Sequence, residues 1–434
     1  MQLNFYEMKK TFLLLSLTLV LTTLGAQSFD QYFENKTLRI NYLHIGDANH
    51  ESFALKEYHA GGIWSGTRAY LQEPHQYGSV LFEAFDSTTN VLIFSRSYDC
   101  LFNEYRTTDE AATQSKSFEE CINMPFPKNT IRYTFTCFDR KQIGTTLYTS
   151  YFNPKTTSTT PFSKDYKYIT LHQGGNPEQC LDILFIPDGY AKEDRGKLDV
   201  DVKAFASYIL NCSPYKENTE RINIYAIKGF SEESGVTDPN NKIYRKTLLN
   251  SSYNTLGTDR YLMCENVWKM YDVADDTPFD VIILICNSEK YGGGGIYNFY
   301  ATVCNGAPEA DFVIVHEMGH LIGGLADEYY TSETSVNDFY PTGVEPMEPN
   351  VTTLVDFEAK WKDLMDPKTP VPTPATKKYN DMIGVYEGAG YVAKGVYRPW
   401  QNCSMKEVIY NNFCPVCTRV LIDMFNYYSN REGE

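Results

Sequence analysis

The chain has 434 residues, of which 42% are hydrophobic, and carries a formal net charge of −16. That length suits two or three domains with real cores, and the acidity excludes the basic patch that nucleic-acid binding requires. Thirty-four tyrosines and 25 phenylalanines favour β-rich structure.

The N-terminus reads as an export signal. Lys9-Lys10 precede an apolar run from Thr11 to Leu24, and Gly25-Ala26-Gln27 supplies small residues for cleavage after Ala26. Met8 then offers the start of a compact signal. The run is too short to span a bilayer comfortably, and no later stretch is long enough for a transmembrane anchor, so a secreted or periplasmic protein is expected. Residues 27–152 alternate apolar and polar positions in short runs, as in Leu38, Ile40, Tyr42 and His44, or Ile131, Tyr133, Phe135 and Cys137. Asp86-Ser87-Thr88-Thr89-Asn90 separates two apolar runs as a hairpin turn would. A β-sandwich is predicted there, with His44, His50, His59 and His75 as ordinary surface or core histidines. A proline-bounded polar linker over 153–164 follows.

From residue 165 the pattern changes to strands at 181–186, 222–227 and 281–286, alternating with helices at 197–210, 261–271 and 308–322, then a last helix from Pro415 to about Tyr428. Such alternation predicts a mostly parallel sheet with helices packed on it. The fold class is therefore mixed α+β, a β-sandwich followed by an α/β unit over 165–434. The glycine run Gly292-Gly293-Gly294-Gly295 is either a hairpin tip or an edge where a peptide adds as a strand. The proline-rich stretch 366–374 is a stiff surface insertion at the rim of that cleft.

The chemistry concentrates at Val315-His316-Glu317-Met318-Gly319-His320. Histidines at i and i+4 share a helix face and can reach one metal ion, and the intervening glutamate can act as a general base on an activated water. Gly323-Gly324 stops the helix and turns the chain back. No histidine follows His320, so the third ligand is a carboxylate or a cysteine. Asp327 is the first candidate and Glu328 the second, with Glu333 as a more distant one. Tyr329, Tyr330 and Tyr410 are candidates for supporting an oxyanion. Eleven cysteines in an exported chain predict disulfides with one thiol left over. For Cys414-x-x-Cys417 with Cys403 nearby, a structural disulfide is the expected reading and a second zinc site or a redox role the alternatives.

The extended pattern from His316 to Tyr329, H-E-x-x-H-x-x-G-x-x-x-D-E-Y, resembles the IgA-peptidase family of secreted bacterial metallopeptidases (metallopeptidase family 64). Ile186-Pro187-Asp188-Gly189-Tyr190, Ser234-Gly235-Val236 and Phe413-Cys414-Pro415-Val416-Cys417 are similar too, and the resemblance covers roughly residues 165–430. Gly323 sits as in the metzincins, which carry a methionine turn beneath the metal, and Met405 is the residue that would form it. The resemblance implies a zincin-like catalytic domain behind an N-terminal β-domain. It implies a zinc endopeptidase that takes protein or peptide substrates, immunoglobulin or other host glycoproteins among them. In that reading His316, His320 and Asp327 hold zinc and Glu317 is the base. Two alternatives remain open: a surface protein that binds glycoprotein or glycan with a vestigial metal site, and a zinc amidase acting on cell-wall peptide.

Overall fold

The computed structural model describes residues 28–330, 340–407 and 412–429. The signal over 1–26, Glu333 and Tyr410 lie outside the described residues. Helix α1 (Phe29–Tyr32) leads into β1 (Phe33–Gly46), which pairs antiparallel with β2 (Glu51–Gly61). The hairpin of β3 (Val80–Asp86) and β4 (Leu92–Tyr98) follows. It turns at Asn90, whose φ of 56° suits asparagine, and the Asp86 carboxylate accepts the Thr88 and Thr89 amides. Helix α2 (Leu101–Tyr105) precedes β5 (Lys116–Pro127), β6 (Ile131–Phe138) and β7 (Gly144–Phe152).

These strands form two four-stranded sheets. One has the order β5-β1-β2-β8, where β8 (Thr160–Pro161) comes from the segment expected as a linker and pairs parallel with β2. The other has the order β4-β3-β6-β7. They meet through Phe135, whose ring lies 4.6 Å from Tyr42 and 5.1 Å from Phe53. Leu38, Ile40 and Tyr42 of β1 point into this core, as their spacing predicts, but Arg39 and Asn41 on the opposite face are equally buried. That face is not solvated, because the second half of the chain packs on it.

The second half is built on a six-stranded sheet of order β13-β14-β12-β10-β11-β9. Its strands are β9 (Tyr168–Gln173), β10 (Leu181–Asp188), β11 (Ile222–Ile227), β12 (Val281–Cys286), β13 (Gly293–Gly295) and β14 (Tyr300–Cys304). The four inner strands are parallel and the two edges antiparallel. Strands β10, β11 and β12 are buried along their whole length, which is why they read as unbroken apolar runs. One face, including Ile183, Phe185, Ile283 and Ile285, is covered by α3 (Arg195–Leu210), by the helix at Ala310–Gly323 and by the C-terminal helix at Pro415–Ser429. The other face, including Leu184, Ile186 and Leu284, joins one continuous core with the sandwich.

Three expectations change. The helix predicted at 261–271 is α4 (Val267–Ala274). Leu262 and Cys264 instead lie ahead of it, where Thr302 and Tyr300 donate their hydroxyls to those two backbone carbonyls. All eleven cysteines are buried and none of the expected disulfides is formed. The prolines of 366–374 do lie at the surface, but that stretch is absent from the lining of the cleft described below. Among the described residues, no helix is long and apolar enough to cross a membrane.

Candidate metal centre

Helix α5 (Ala310–Gly323) owes its position to its sequence. Phe312, Val313, Ile314, Val315, Met318, Leu321 and Ile322 are buried against the sheet and its neighbours, leaving His316, Glu317 and His320 on the one face that opens to a cleft. The helix ends where Gly324 takes φ of 56°, a left-handed conformation that costs glycine little. The chain then reverses, and Asp327 returns beneath the two histidines.

Both imidazoles are oriented by the backbone. His316 Nδ1 lies 2.8 Å from the Ser404 carbonyl and His320 Nδ1 lies 2.5 Å from that of Leu325. A carbonyl can only accept, so each Nδ1 carries a proton and each Nε2 is the nitrogen left to face a metal. The two Nε2 atoms are 3.2 Å apart, and Asp327 Oδ1 lies 3.0 Å from that of His316 and 3.4 Å from that of His320. Three candidate ligand atoms thus face one another in a buried spot, and Asp327 Oδ1 has no hydrogen-bond donor. Such an arrangement asks for a cation. Zinc bonds of about 2.0–2.1 Å at tetrahedral angles put ligand atoms roughly 3.3 Å apart, which is the spacing found.

The three groups are also coupled by charge. Burial opposes charge on His320, yet the Asp327 carboxylate overrides it and holds the imidazole up to about 9, so a cation bound at the cluster would displace a proton from Nε2. Burial raises Asp327, but His320 and His316 pull it well below the usual carboxylate range. Burial pushes Glu317 above its ordinary value against the pull of both histidines. Metal-binding chemistry therefore fits the residues present, with Glu317 beside the ligands and outside the set.

A second layer fixes Asp327. The hairpin of β15 (Tyr386–Ala389) and β16 (Val392–Arg398) turns at Tyr391, whose hydroxyl donates to Asp327 Oδ2 at 2.5 Å. The Gly390 amide donates to the Asp327 carbonyl and the Tyr391 amide to that of Tyr329. Nothing in the sequence signals Tyr391, which stands 64 positions after Asp327. Supporting partners of this kind are worth about 10- to 100-fold in metal affinity. Tyr391→Phe is therefore expected to weaken zinc binding by that factor in competition against a chelator. Unchanged affinity would show that the hairpin positions Asp327 by its backbone alone.

The remaining candidates separate. Glu328 is wholly buried but lies outside the histidine cluster. Its Oε1 accepts from Asn350 Nδ2 at 3.0 Å and sits 3.3 Å from Cys417 Sγ. Met405 is buried under α5, and a Cβ on Gly319 would come within 2.5 Å of its Sδ, so glycine is needed there. Tyr329 lines the cleft. Tyr330 does not; it packs against Gly388 and lies 5.7 Å from the Arg398 guanidinium.

The cleft has a volume of about 1310 Å³ and its walls come from both halves of the chain. Glu317, Arg260 and Gly295 line one side, while Ser79, just before β3, and Glu104 of α2 come from the N-terminal half. Tyr261 donates its hydroxyl to Glu104 at 2.7 Å, and burial pushes Glu104 up to about 7. At Gly295 of β13 a Cβ would lie 3.1 Å from Glu317 Oε2, so the glycine edge strand runs directly beside the glutamate.

Comparison with known proteins gives two matches. Residues 169–382 and 375–425 match the family described as IgA Peptidase M64, and residues 28–149 match the one described as Peptidase M64 N-terminus. No curated protein matches the chain.

Proposed function

This chain belongs to the M64 peptidase family, and on that premise we propose that it is a secreted zinc-dependent endopeptidase with a metzincin-type catalytic domain. The observation that carries the reading is the convergence of two Nε2 atoms and one buried carboxylate oxygen within 3.4 Å, with both Nδ1 protons committed to the backbone. Zinc held by His316, His320 and Asp327 would polarise the scissile carbonyl and lower the pKa of water to about 7.

The chain's own residues supply the rest. Glu317 takes the proton from the attacking water and returns it to the leaving amine; its raised pKa suits both transfers. Tyr329 and Arg260, both on the cleft wall, are the groups that would support a developing oxyanion. Tyr330 is outside the cleft and drops from that role. Met405 packs beneath α5 as the methionine turn. The edge strand β13 offers unpaired backbone groups beside Glu317, where an extended peptide can add as a further strand. Export by the leader over 1–26 delivers the enzyme to protein substrates outside the cytoplasm. The intact base favours this reading over a vestigial metal site in a glycan-binding protein, since a structural metal has no use for one.

The test is metal content of the mature protein beside His316→Ala and Asp327→Ala. Each variant is expected to hold one zinc fewer per chain than wild type and to lose cleavage of protein substrates. Zinc content unchanged from wild type in both would remove the reading, and cleavage confined to muropeptides would reassign the enzyme as an amidase.

A further inference from the structure

We propose that Glu328, Cys403, Cys414 and Cys417 form a second, structural zinc site that ties the loop carrying Asp327 to the start of α6 (Pro415–Ser429). One ligand atom from each of the four lies within 4.8 Å of every other, and all four residues are buried. Zinc–sulfur bonds of about 2.3 Å at tetrahedral angles set sulfur–sulfur edges of roughly 3.8 Å, so small side-chain adjustments close the shell.

Three observations point to a ligand and not merely to a thiol-rich core. The sulfurs already receive backbone donors: the Cys414 amide donates to Cys403 Sγ at 3.2 Å and the Cys417 amide to Cys414 Sγ at 3.5 Å. Such N–H···S bonds support thiolate ligands. Glu328 is fully buried, with one oxygen held by Asn350 and Cys417 while Oε2 has no partner. A buried carboxylate in this state is costly unless a cation meets it. A disulfide within the cluster would use two of the three cysteines and leave the third, with the carboxylate, unanswered. A cation answers all four, and binding releases the thiol protons to solvent. Three sulfurs and one oxygen in a closed tetrahedral set select zinc.

Asp327 and Glu328 are successive residues whose carboxylates serve different clusters, Asp327 facing His316 and His320 and Glu328 facing Cys417. The Glu328 amide also donates to the Met405 carbonyl at 2.7 Å. The second ion would therefore brace the turn bearing Met405 and the loop bearing Asp327 together. It rests on the catalytic-site reading only for the count of metals.

The experiment is zinc content of the full mature chain, purified with zinc present, in wild type, His316→Ala, Cys414→Ser and Cys417→Ser. Two zinc ions per chain are expected in wild type and one in His316→Ala. Metal-stripped His316→Ala reconstituted with cobalt(II) is expected to show sulfur-to-cobalt charge-transfer absorption, which a two-histidine, one-carboxylate site does not produce. Each cysteine variant is expected to lose one zinc; should either fail to fold, wild type and His316→Ala carry the test. One zinc in wild type and none in His316→Ala, or a disulfide among these three cysteines in non-reducing peptide maps, would overturn the proposal and leave the catalytic site standing. One zinc that persists in His316→Ala with the charge-transfer band would support it and remove the catalytic reading instead.

Discussion

Glu317→Gln is expected to lower kcat on a protein substrate by about 10²- to 10⁴-fold, the range for loss of a general acid–base group, while zinc content stays at the wild-type level. The amide has the shape of the carboxylate and enters the same narrow space beside Gly295, so the helix and its histidines are not disturbed. Glutamine cannot accept the proton of the attacking water. The change therefore falls on the chemical step, with KM little altered, because no ligand atom or cleft wall is removed. Steady-state kinetics beside metal analysis decides the matter. Full activity in a folded, zinc-loaded Glu317→Gln protein would take the base role away from this residue.

Arg39→Met is expected to cost about 3–5 kcal/mol of stability, the range for breaking a buried ion pair from one side. Arg39 is fully buried in β1 and reaches into the second half of the chain, with Nη1 2.7 Å from Asp275 and Nη2 2.5 Å from Asp272. His59 Nδ1 accepts a further bond at 3.0 Å. Methionine fills much of the volume and leaves Asp275, itself buried, without its cation. Burial pushes Asp275 up to about 7 even against the pull of Arg39, so without Arg39 the carboxyl rises further. A raised carboxyl stabilises the fold below its unfolded pKa and loses that contribution as pH climbs through its folded one. Below about pH 7 both proteins keep Asp275 protonated; above it only wild type ionises freely. The deficit should therefore be larger at pH 9 than at pH 6 in urea unfolding. Equal midpoints at pH 9 would mean that apolar contacts alone hold the halves together.

Much of this was legible in the sequence for identifiable reasons. Strands β10, β11 and β12 announce themselves because both faces are buried, and α5 because its histidines sit at helical spacing on an otherwise apolar rod. Other features depend on distant partners. Two adjacent acids, Asp327 and Glu328, look interchangeable until the glycine turn and the Tyr391 hairpin decide which faces the histidines. Leu262 and Cys264 fall inside a segment expected to be helical, yet hydroxyls from β14 take their carbonyls and keep them out of the helix. Arg39 reads as a solvent-facing position of an alternating strand, because nothing local says that the outer face of that sheet is covered. Glu104 reaches the cleft from a helix more than two hundred residues before α5. The cysteines misled in the other direction, since thiol count and export signal disulfides whereas none is formed.

The two-sided wall of the cleft has a consequence for selectivity. His316, Glu317, His320 and Asp327 all come from the second half, whereas Ser79 and Glu104 come from the first. Any change that shifts the first half against the second would therefore reshape the passage leading to these four residues while leaving them in place.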